Sequence, residues 1–247
     1  MNTLRDRWES QASNWVKIVR GRWRSTDHHG DFNFPSFLRV LPPPSGPTLE
    51  IGSGEGRNTV ALRVGGYDIQ GVDASPTMVA AARAADPHSR FDVADAADLP
   101  FEDESFALVI AFMSLQDMDD LGAVVAEAAR VLQPGGHFCF AILHPLRTAG
   151  TWAGDGSFVL DSYFARRPYV VTDAHDDVSV EMWSEHRPLQ AYSDALTAHG
   201  FVIEELREPE PFGDMIRSDG VGISEKWTRI PFAVHVRALK RPSGDNR

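Results

Sequence analysis

The sequence contains a single cysteine, Cys139, among its 247 residues. One thiol excludes an intramolecular disulfide and any metal site that needs several cysteines. Basic residues are also few, because 24 lysines and arginines face 35 aspartates and glutamates and give a formal net charge of −11. This balance argues against binding to nucleic acid through its phosphates.

Long apolar segments are absent as well. No stretch approaches the ~18 apolar residues that span a bilayer, and Met1–Arg7 carries charges where a signal peptide would be apolar. The hydrophobic content of 43% is nevertheless that of a folded protein with a sizeable core. We therefore expect a cytoplasmic protein with no membrane partner that forms one domain, as a monomer or a homodimer.

Three regions of the chain differ in their patterns. In residues 1–46, apolar residues at steps of three and four predict an amphipathic helix, which we interpret as a lid or as a contact between subunits. The apolar stripe of this helix consists of Leu4, Trp8, Ala12, Trp15 and Val19.

Residues 48–143 alternate short apolar runs with helical patterns. This rhythm predicts an α/β fold in which parallel strands are joined by crossover helices on both faces of a sheet. The predicted strands are Thr48–Ile51, Asp68–Val72, Arg90–Val93, Phe106–Phe112 and His137–Leu143, and the predicted helices are Arg57–Val64, Thr77–Ala85 and Leu121–Leu132.

Residues 144–187 break this rhythm and contain no clear helical pattern. Their aromatic content argues against disorder, and we interpret the segment as a long loop that forms a cap after the fifth strand. Residues 188–239 then predict a helix that ends at Gly200 and two strands, Phe201–Leu206 and Phe232–Leu239.

A glycine-rich turn follows the first strand and precedes the first crossover helix. Its glycines, Gly52, Gly54 and Gly56, are one residue closer together than in the turn that holds a dinucleotide pyrophosphate. Glu50 ends the strand, and its carboxylate would repel pyrophosphate but attract a cation. The N-terminus of the next helix favours an anion. The turn is therefore predicted to bind a zwitterionic ligand.

Two further acids follow the next two strands. Asp73 lies about 20 residues beyond the turn, where a carboxylate binds the ribose hydroxyls of an adenosine. Capping of the next helix is the alternative for Asp73. Asp95 and the N–H of Ala96 follow the third strand, where they would meet the edge of an adenine, although one Asp in an acidic loop is by itself more often a surface residue.

These features follow one another in an order that resembles the class I S-adenosylmethionine-dependent methyltransferases, within them the small-molecule, methyltransferase type 11-like branch. The resemblance covers Leu49 to about Leu143, and the segments His186–Tyr192 and Gly200–Pro209 are similar to many bacterial members. The motifs that carry it are Glu50-x-Gly-x-Gly-x-Gly, Gly71-Val72-Asp73-Ala74-Ser75, Asp95-Ala96-Ala97-Asp98-Leu99-Pro100-Phe101 and Arg130-Val131-Leu132-Gln133-Pro134-Gly135-Gly136.

The resemblance implies a Rossmann-like, mostly parallel sheet of seven strands whose last strand is antiparallel. It also implies S-adenosylmethionine as the cofactor and S-adenosylhomocysteine as the product. One departure is Ser114-Leu115-Gln116, where relatives often carry His or Asn. The implied cofactor-binding residues are Glu50, Gly52, Gly54 and Gly56 at the methionyl end, Asp73 at the ribose, Ala74, Met78, Asp95 and Ala96 at the adenine, and Phe112 and Met113 beside the sulfonium.

The acceptor is expected outside the carboxyl ends of the strands. Methyl transfer is an in-line displacement, so the main task is to position the nucleophile, and a histidine base can assist. His144, directly after the fifth strand, is the first candidate and His186 the second. Their alternatives are capping of the strand end and bracing of the next helix. The predicted acceptor pocket consists of Trp15, Trp152, Tyr163, Tyr169 and Trp183, although packing within the cap is the alternative for part of this set.

His28 and His29 resemble a metal cluster, but we expect them on the surface and predict no metal site. The favoured function is methyl transfer to O or N of a small molecule, such as a secondary metabolite. A regulatory protein that binds S-adenosylmethionine without transfer is the alternative. The glycine spacing and Glu50 argue against a nicotinamide-dependent dehydrogenase, and the net charge of −11 argues against an RNA methyltransferase.

Overall fold

The computed structural model describes residues 3–21, 32–175, 177–211 and 225–242. The pair His28 and His29 lies outside these ranges. The helices described are α1 (Leu4–Arg20), α2 (Phe34–Phe37), α3 (Arg57–Val64), α4 (Pro76–Ala85), α5 (Leu121–Val131), α6 (Pro145–Thr148) and α7 (Leu189–Ala198). The strands described are β1 (Pro47–Ile51), β2 (Asp68–Asp73), β3 (Arg90–Val93), β4 (Phe106–Phe112), β5 (Leu132–Leu143), β6 (Gly150–Trp152), β7 (Phe158–Leu160), β8 (Arg167–His175), β9 (Val178–His186), β10 (Phe201–Arg207) and β11 (Ala233–Lys240).

Seven strands form one sheet in the order β10-β11-β5-β4-β1-β2-β3. The pairs from β5 to β3 are parallel, whereas β11 runs antiparallel to both β5 and β10. The predicted α/β fold with an antiparallel last strand is therefore confirmed. The central strand β4 is apolar throughout because helices cover both faces of the sheet.

The two faces of the sheet contribute to two apolar clusters. Val109 and Phe140 belong to the cluster that includes residues of α5 and α7. Their neighbours Ile110 and Cys139 point the other way and join residues of α2 and α3. Cys139 is fully buried, and burial raises the pKa of its thiol, so it behaves as a small apolar residue.

The predicted start of β5 was wrong. This strand begins at Leu132 rather than His137 because Leu132 already pairs with Phe106. The register then shifts before Leu108 pairs with His137, and the shift accommodates Pro134 and its two following glycines.

The cap, residues 144–187, is not the long loop that the sequence suggested. After the short helix α6 it folds into two antiparallel hairpins, β6–β7 and β8–β9. The segment Val178–Met182 alternates apolar and polar residues, which is the pattern of a half-exposed strand and was the available signal.

Helix α1 lies between the cap and the sheet domain. A capping box between Thr3 and Asp6 starts it. Trp8 Nε1 donates to the carbonyl of Trp183 on β9 at 2.8 Å, and Thr77 Oγ1 on α4 donates to Glu9 at 2.6 Å. Within the described ranges, no helix has both the length and the apolarity that crossing a membrane requires.

Candidate active site

A cavity of about 340 Å³ lies at the carboxyl ends of the central strands, beneath α1. Its volume is within the usual range for a small-molecule site. The predicted residues that line it are Trp15, Gly52, Gly54, Asp73, Ala74, Met78, Asp95, Ala96, Phe112 and Met113. The predicted residues that do not line it are Glu50, Gly56, His144, His186, Trp152, Tyr163, Tyr169 and Trp183.

Asp73 joins the second strand to the glycine-rich turn. Its Oδ2 accepts the Gly54 N–H at 2.8 Å and its Oδ1 accepts the Ser75 N–H at 2.9 Å. Burial raises the pKa of Asp73, whereas these two hydrogen bonds favour its charged form. Each carboxylate oxygen retains a second lone pair, so Asp73 can still accept two hydroxyl groups.

The glycine-rich turn presents backbone to the cavity at Gly54. Gly54 has φ +56°, and a Cβ added there would meet no atom within 4 Å. Gly56 has φ +88°, but its Cβ would lie 2.6 Å from Phe91 Cζ and 2.9 Å from Ala82 Cβ. Gly54 therefore leaves room at the turn, whereas the absence of a side chain at Gly56 allows the turn to pack on Phe91 and Ala82.

This difference predicts that two matched substitutions affect different properties, the ligand affinity at Gly54 and the stability of the fold at Gly56. Gly54→Ala should cost only about 1–2 kcal/mol for its left-handed backbone but lower the affinity for S-adenosylhomocysteine at least ~10-fold. Gly56→Ala should lose at least as much stability, because overpacking adds about 1–3 kcal/mol. Thermal unfolding and calorimetric titration of both variants separate the effects. Wild-type affinity in Gly54→Ala would show that no ligand approaches this backbone.

Glu50 does not line the cavity, but it contacts Asn58, which does. It is fully buried and accepts hydrogen bonds from Thr59 Oγ1 and from Asn58 Nδ2, the latter at 3.3 Å. Burial raises the pKa of Glu50 to about 7 against these hydrogen bonds. Asn58 itself lines the cavity, so Glu50 orients this wall residue. Its contact with a ligand's amino group stays a prediction.

Asp95 lines the cavity and contacts α1. Its Oδ1 accepts the Ala97 N–H at 2.9 Å, and its Oδ2 forms an ion pair with Arg5. The predicted acceptor of the adenine amine is therefore bound by a residue of the N-terminal helix in this structure.

The two candidate histidines are held by structural hydrogen bonds. His144 Nδ1 accepts the Leu146 N–H at 3.1 Å, and its Nε2 lies 2.9 Å from Glu208 Oε1. His186 is fully buried, with Nδ1 2.6 Å from Thr148 Oγ1 and Nε2 2.8 Å from the carbonyl of Tyr163. Burial lowers the pKa of both rings. Their catalytic roles stay predictions, and this geometry favours the capping and bracing alternatives.

Four of the five predicted pocket aromatics do not line the cavity. The ring of Trp183 lies 3.7 Å from the Arg7 guanidinium carbon, and Trp152 packs on Phe158 with ring centroids 5.1 Å apart. The Tyr163 hydroxyl accepts the N–H of Leu189 at 3.3 Å. Trp15 alone among the predicted aromatics lines the cavity, and Tyr169 reaches it only through its interaction with the lining residue Arg147.

Asp117 is a lining residue that the sequence interpretation missed. It follows β4 in a short turn, and its Oδ1 accepts a hydrogen bond of 2.7 Å from Ser184 on the cap. Burial raises the pKa of Asp117 to about 8, although the Ser184 hydroxyl and the Arg187 guanidinium favour its ionised form. Arg187 also donates to the carbonyl of Met118 at 2.6 Å and so holds this turn in place.

Four buried polar atoms on the cavity wall have no hydrogen-bond partner within the described part of the chain. They are Ser53 Oγ, Gln116 Oε1, and Nε and Nη1 of Arg147. Buried polar atoms are usually paired, so a donor and an acceptor of a ligand are expected to meet them. Together with Asp73 and the turn, this wall fits an adenosine that carries a zwitterionic chain.

Comparison with known proteins identifies that ligand. Residues 49–140 match the family model described as a methyltransferase domain. An uncharacterized methyltransferase of Synechocystis sp. is 34% identical over 148 residues, which are 58% of this chain and 69% of that protein. A demethylmenaquinone methyltransferase of Chlorobaculum parvum is 34% identical over 99 residues, 40% of each protein.

The architecture agrees with these matches. The crystal structure of an S-adenosylmethionine-dependent methyltransferase from Mesorhizobium loti has a TM-score of 0.70 and 26% identity over 84% of this chain and 97% of that one. The chain belongs to the class I S-adenosylmethionine-dependent methyltransferases. The resemblance inferred from the motifs is thus confirmed, as is S-adenosylmethionine as the cofactor.

Proposed function

We propose that this protein transfers the methyl group of S-adenosylmethionine to an oxygen or nitrogen atom of a small-molecule acceptor. The observation that carries the proposal is the extent of the cavity. Beyond the predicted cofactor residues it continues to Met182 and Ser184 of the cap and to Arg147 and Phe232. A regulatory protein that only binds the cofactor has no need of this second wall.

The proposed cofactor contacts follow from the lining. S-adenosylmethionine, when bound, supplies an electrophilic methyl group. Asp73 accepts the ribose hydroxyls, the backbone at Gly54 leaves room for the methionyl chain, and Asp95 with Ala96 meets the adenine edge. Phe112 and Met113 border the reacting centre, and α1 with Trp15 covers the site as a lid that excludes water.

We further propose that Asp117 takes the proton that the acceptor loses. Its carboxyl lines the cavity, Ser184 fixes its orientation, and its raised pKa suits a general base near neutral pH. His144 and His186 have both ring nitrogens engaged elsewhere, so they are less suited to this role.

Calorimetric titration with S-adenosylmethionine, S-adenosylhomocysteine and NAD tests the proposal first. We expect micromolar binding of both sulfur compounds and none of NAD, followed by release of S-adenosylhomocysteine in a screen of hydroxyl- and amine-bearing small molecules. Tight binding without turnover across a broad screen would favour the regulatory alternative. Absence of binding would contradict the cofactor assignment to this cavity.

A further inference from the structure

The wall of the cavity contributed by α6 contains an arginine with unused donors. Arg147 lines the cavity, and its Nε and Nη1 atoms are buried with no hydrogen-bond partner in the described part of the chain. No carboxylate in the described ranges forms an ion pair with it, and Tyr169 is the polar side chain that interacts with it. Burial lowers the pKa of Arg147, but a guanidinium stays charged at neutral pH.

Aromatic rings surround this charge. The guanidinium carbon lies 4.5 Å from the ring centroid of Trp227 and 4.2 Å from that of Phe232. Ring faces attract a cation, but they accept the hydrogen bonds of its N–H groups only weakly. A buried charge without a counter-ion is costly, so this arrangement is expected where a ligand brings the anion.

The arginine is close to the predicted site of transfer. Phe232 contacts the guanidinium and shares an apolar cluster with Met113 and Leu143, which also line the cavity. The other lining arginines have carboxylate neighbours, since Arg5 pairs with Asp95 and Arg57 with Glu55. Among the described residues that line the cavity, Arg147 is therefore the cation without a carboxylate partner.

We propose that Arg147 binds a carboxylate of the methyl acceptor, whose apolar body lies along Phe232 and Met113. A carboxylate is an acceptor-only group that matches guanidinium donors, and its single negative charge balances one arginine. The inference rests on the proposed methyl transfer and specifies its substrate class as small aromatic or otherwise apolar carboxylic acids.

The test compares acids with their neutral amides on the full chain saturated with S-adenosylhomocysteine. Benzoate, 4-hydroxybenzoate and cinnamate are each titrated against the corresponding amide. We expect at least one acid to bind at least ~10-fold more tightly than its amide, because a charged hydrogen bond typically contributes about 1.5–3 kcal/mol. Equal affinity within every pair, or no binding of any acid, overturns the proposal.

Substitution of Arg147 tests whether this residue causes the preference for the acid over its amide. Arg147→Met should abolish the preference for the acid and leave the affinity for S-adenosylhomocysteine unchanged, whereas Arg147→Lys should retain part of it. Arg229→Met is the matched control, because Arg229 donates to the carbonyl of Gly156 outside the cavity lining. An undiminished preference in Arg147→Met overturns the proposal.

The design separates this inference from the proposed function. If S-adenosylhomocysteine itself does not bind the wild-type chain, the proposed function fails regardless of the acids. If it binds and the acid–amide pairs do not differ, only the role of Arg147 is wrong. Should Arg147→Met fail to fold, the wild-type preference and the Arg147→Lys variant still decide the question.

Discussion

Replacing Asp117 with asparagine is expected to lower kcat about 100-fold while the Kd for S-adenosylmethionine stays within about twofold. The amide has the same shape and can still accept the hydrogen bond from Ser184, but it cannot take a proton. In the wild type, activity should rise with pH as Asp117 ionises. The midpoint of this rise should lie at or below the pKa of about 8, because a bound cationic cofactor favours the carboxylate. The variant should lose this dependence.

The measurement is the rate of S-adenosylhomocysteine release against pH, with an acceptor from the screen. Asp103→Asn is the matched surface control, because Asp103 is an exposed partner of Arg130. Ser184→Ala should produce a smaller loss, since it removes only the group that orients Asp117. Wild-type kcat in Asp117→Asn, or an equal loss in the Asp103 control, would contradict the role.

The same substitution has a consequence for stability. The folded-state pKa of Asp117, about 8, exceeds the ordinary aspartate value of 3.8, so the folded state binds more protons between about pH 4 and pH 8. This carboxyl therefore makes the protein less stable as the pH rises through that window. Asp117→Asn should flatten the decline but not remove it, because Glu50 also has a raised pKa of about 7.

Replacing Asp73 with asparagine is expected to weaken binding of S-adenosylmethionine at least ~10-fold, since hydrogen bonds to a charged group typically contribute about 1.5–3 kcal/mol. Asparagine has one acceptor oxygen where aspartate has two. It can satisfy either the Gly54 or the Ser75 N–H, so it leaves fewer lone pairs for the ribose. Calorimetric titration measures the affinity.

Two controls support this experiment. Asp92→Asn alters an exposed carboxylate whose partner is Arg83, and it should bind the cofactor like the wild type. Thermal unfolding of Asp73→Asn establishes how much of the loss reflects the unpaired backbone N–H rather than the missing ribose contact. Unchanged affinity in a folded Asp73→Asn variant would refute the ribose assignment.

The sheet and the glycine-rich turn could be predicted because their signals are local. The apolar run of β4, the spacing of Gly52, Gly54 and Gly56, and the position of Asp73 each lie within a few residues of the structure they determine. The antiparallel last strand came from the resemblance to a family rather than from these patterns.

The acceptor side could not be predicted in the same way. Asp117 became notable only because Ser184 binds it and Arg187 fixes its turn. Ser184 lies on β9 and Arg187 directly follows it, so both residues are distant from Asp117 in sequence. The unused donors of Arg147 likewise depend on the packing of Trp227 and Phe232 around it. Conversely, His144 follows the strand as predicted, yet its ring faces Leu146 and Glu208.

The ion pair between Arg5 and Asp95 implies a competition. If the adenine amine needs the same carboxylate, the closed position of α1 and the bound cofactor oppose each other, and each must weaken the other by the same factor. Added salt weakens an exposed ion pair and should therefore release the helix. Moderate ionic strength would then favour cofactor binding, and α1 could close over a bound cofactor only with Arg5 displaced from Asp95.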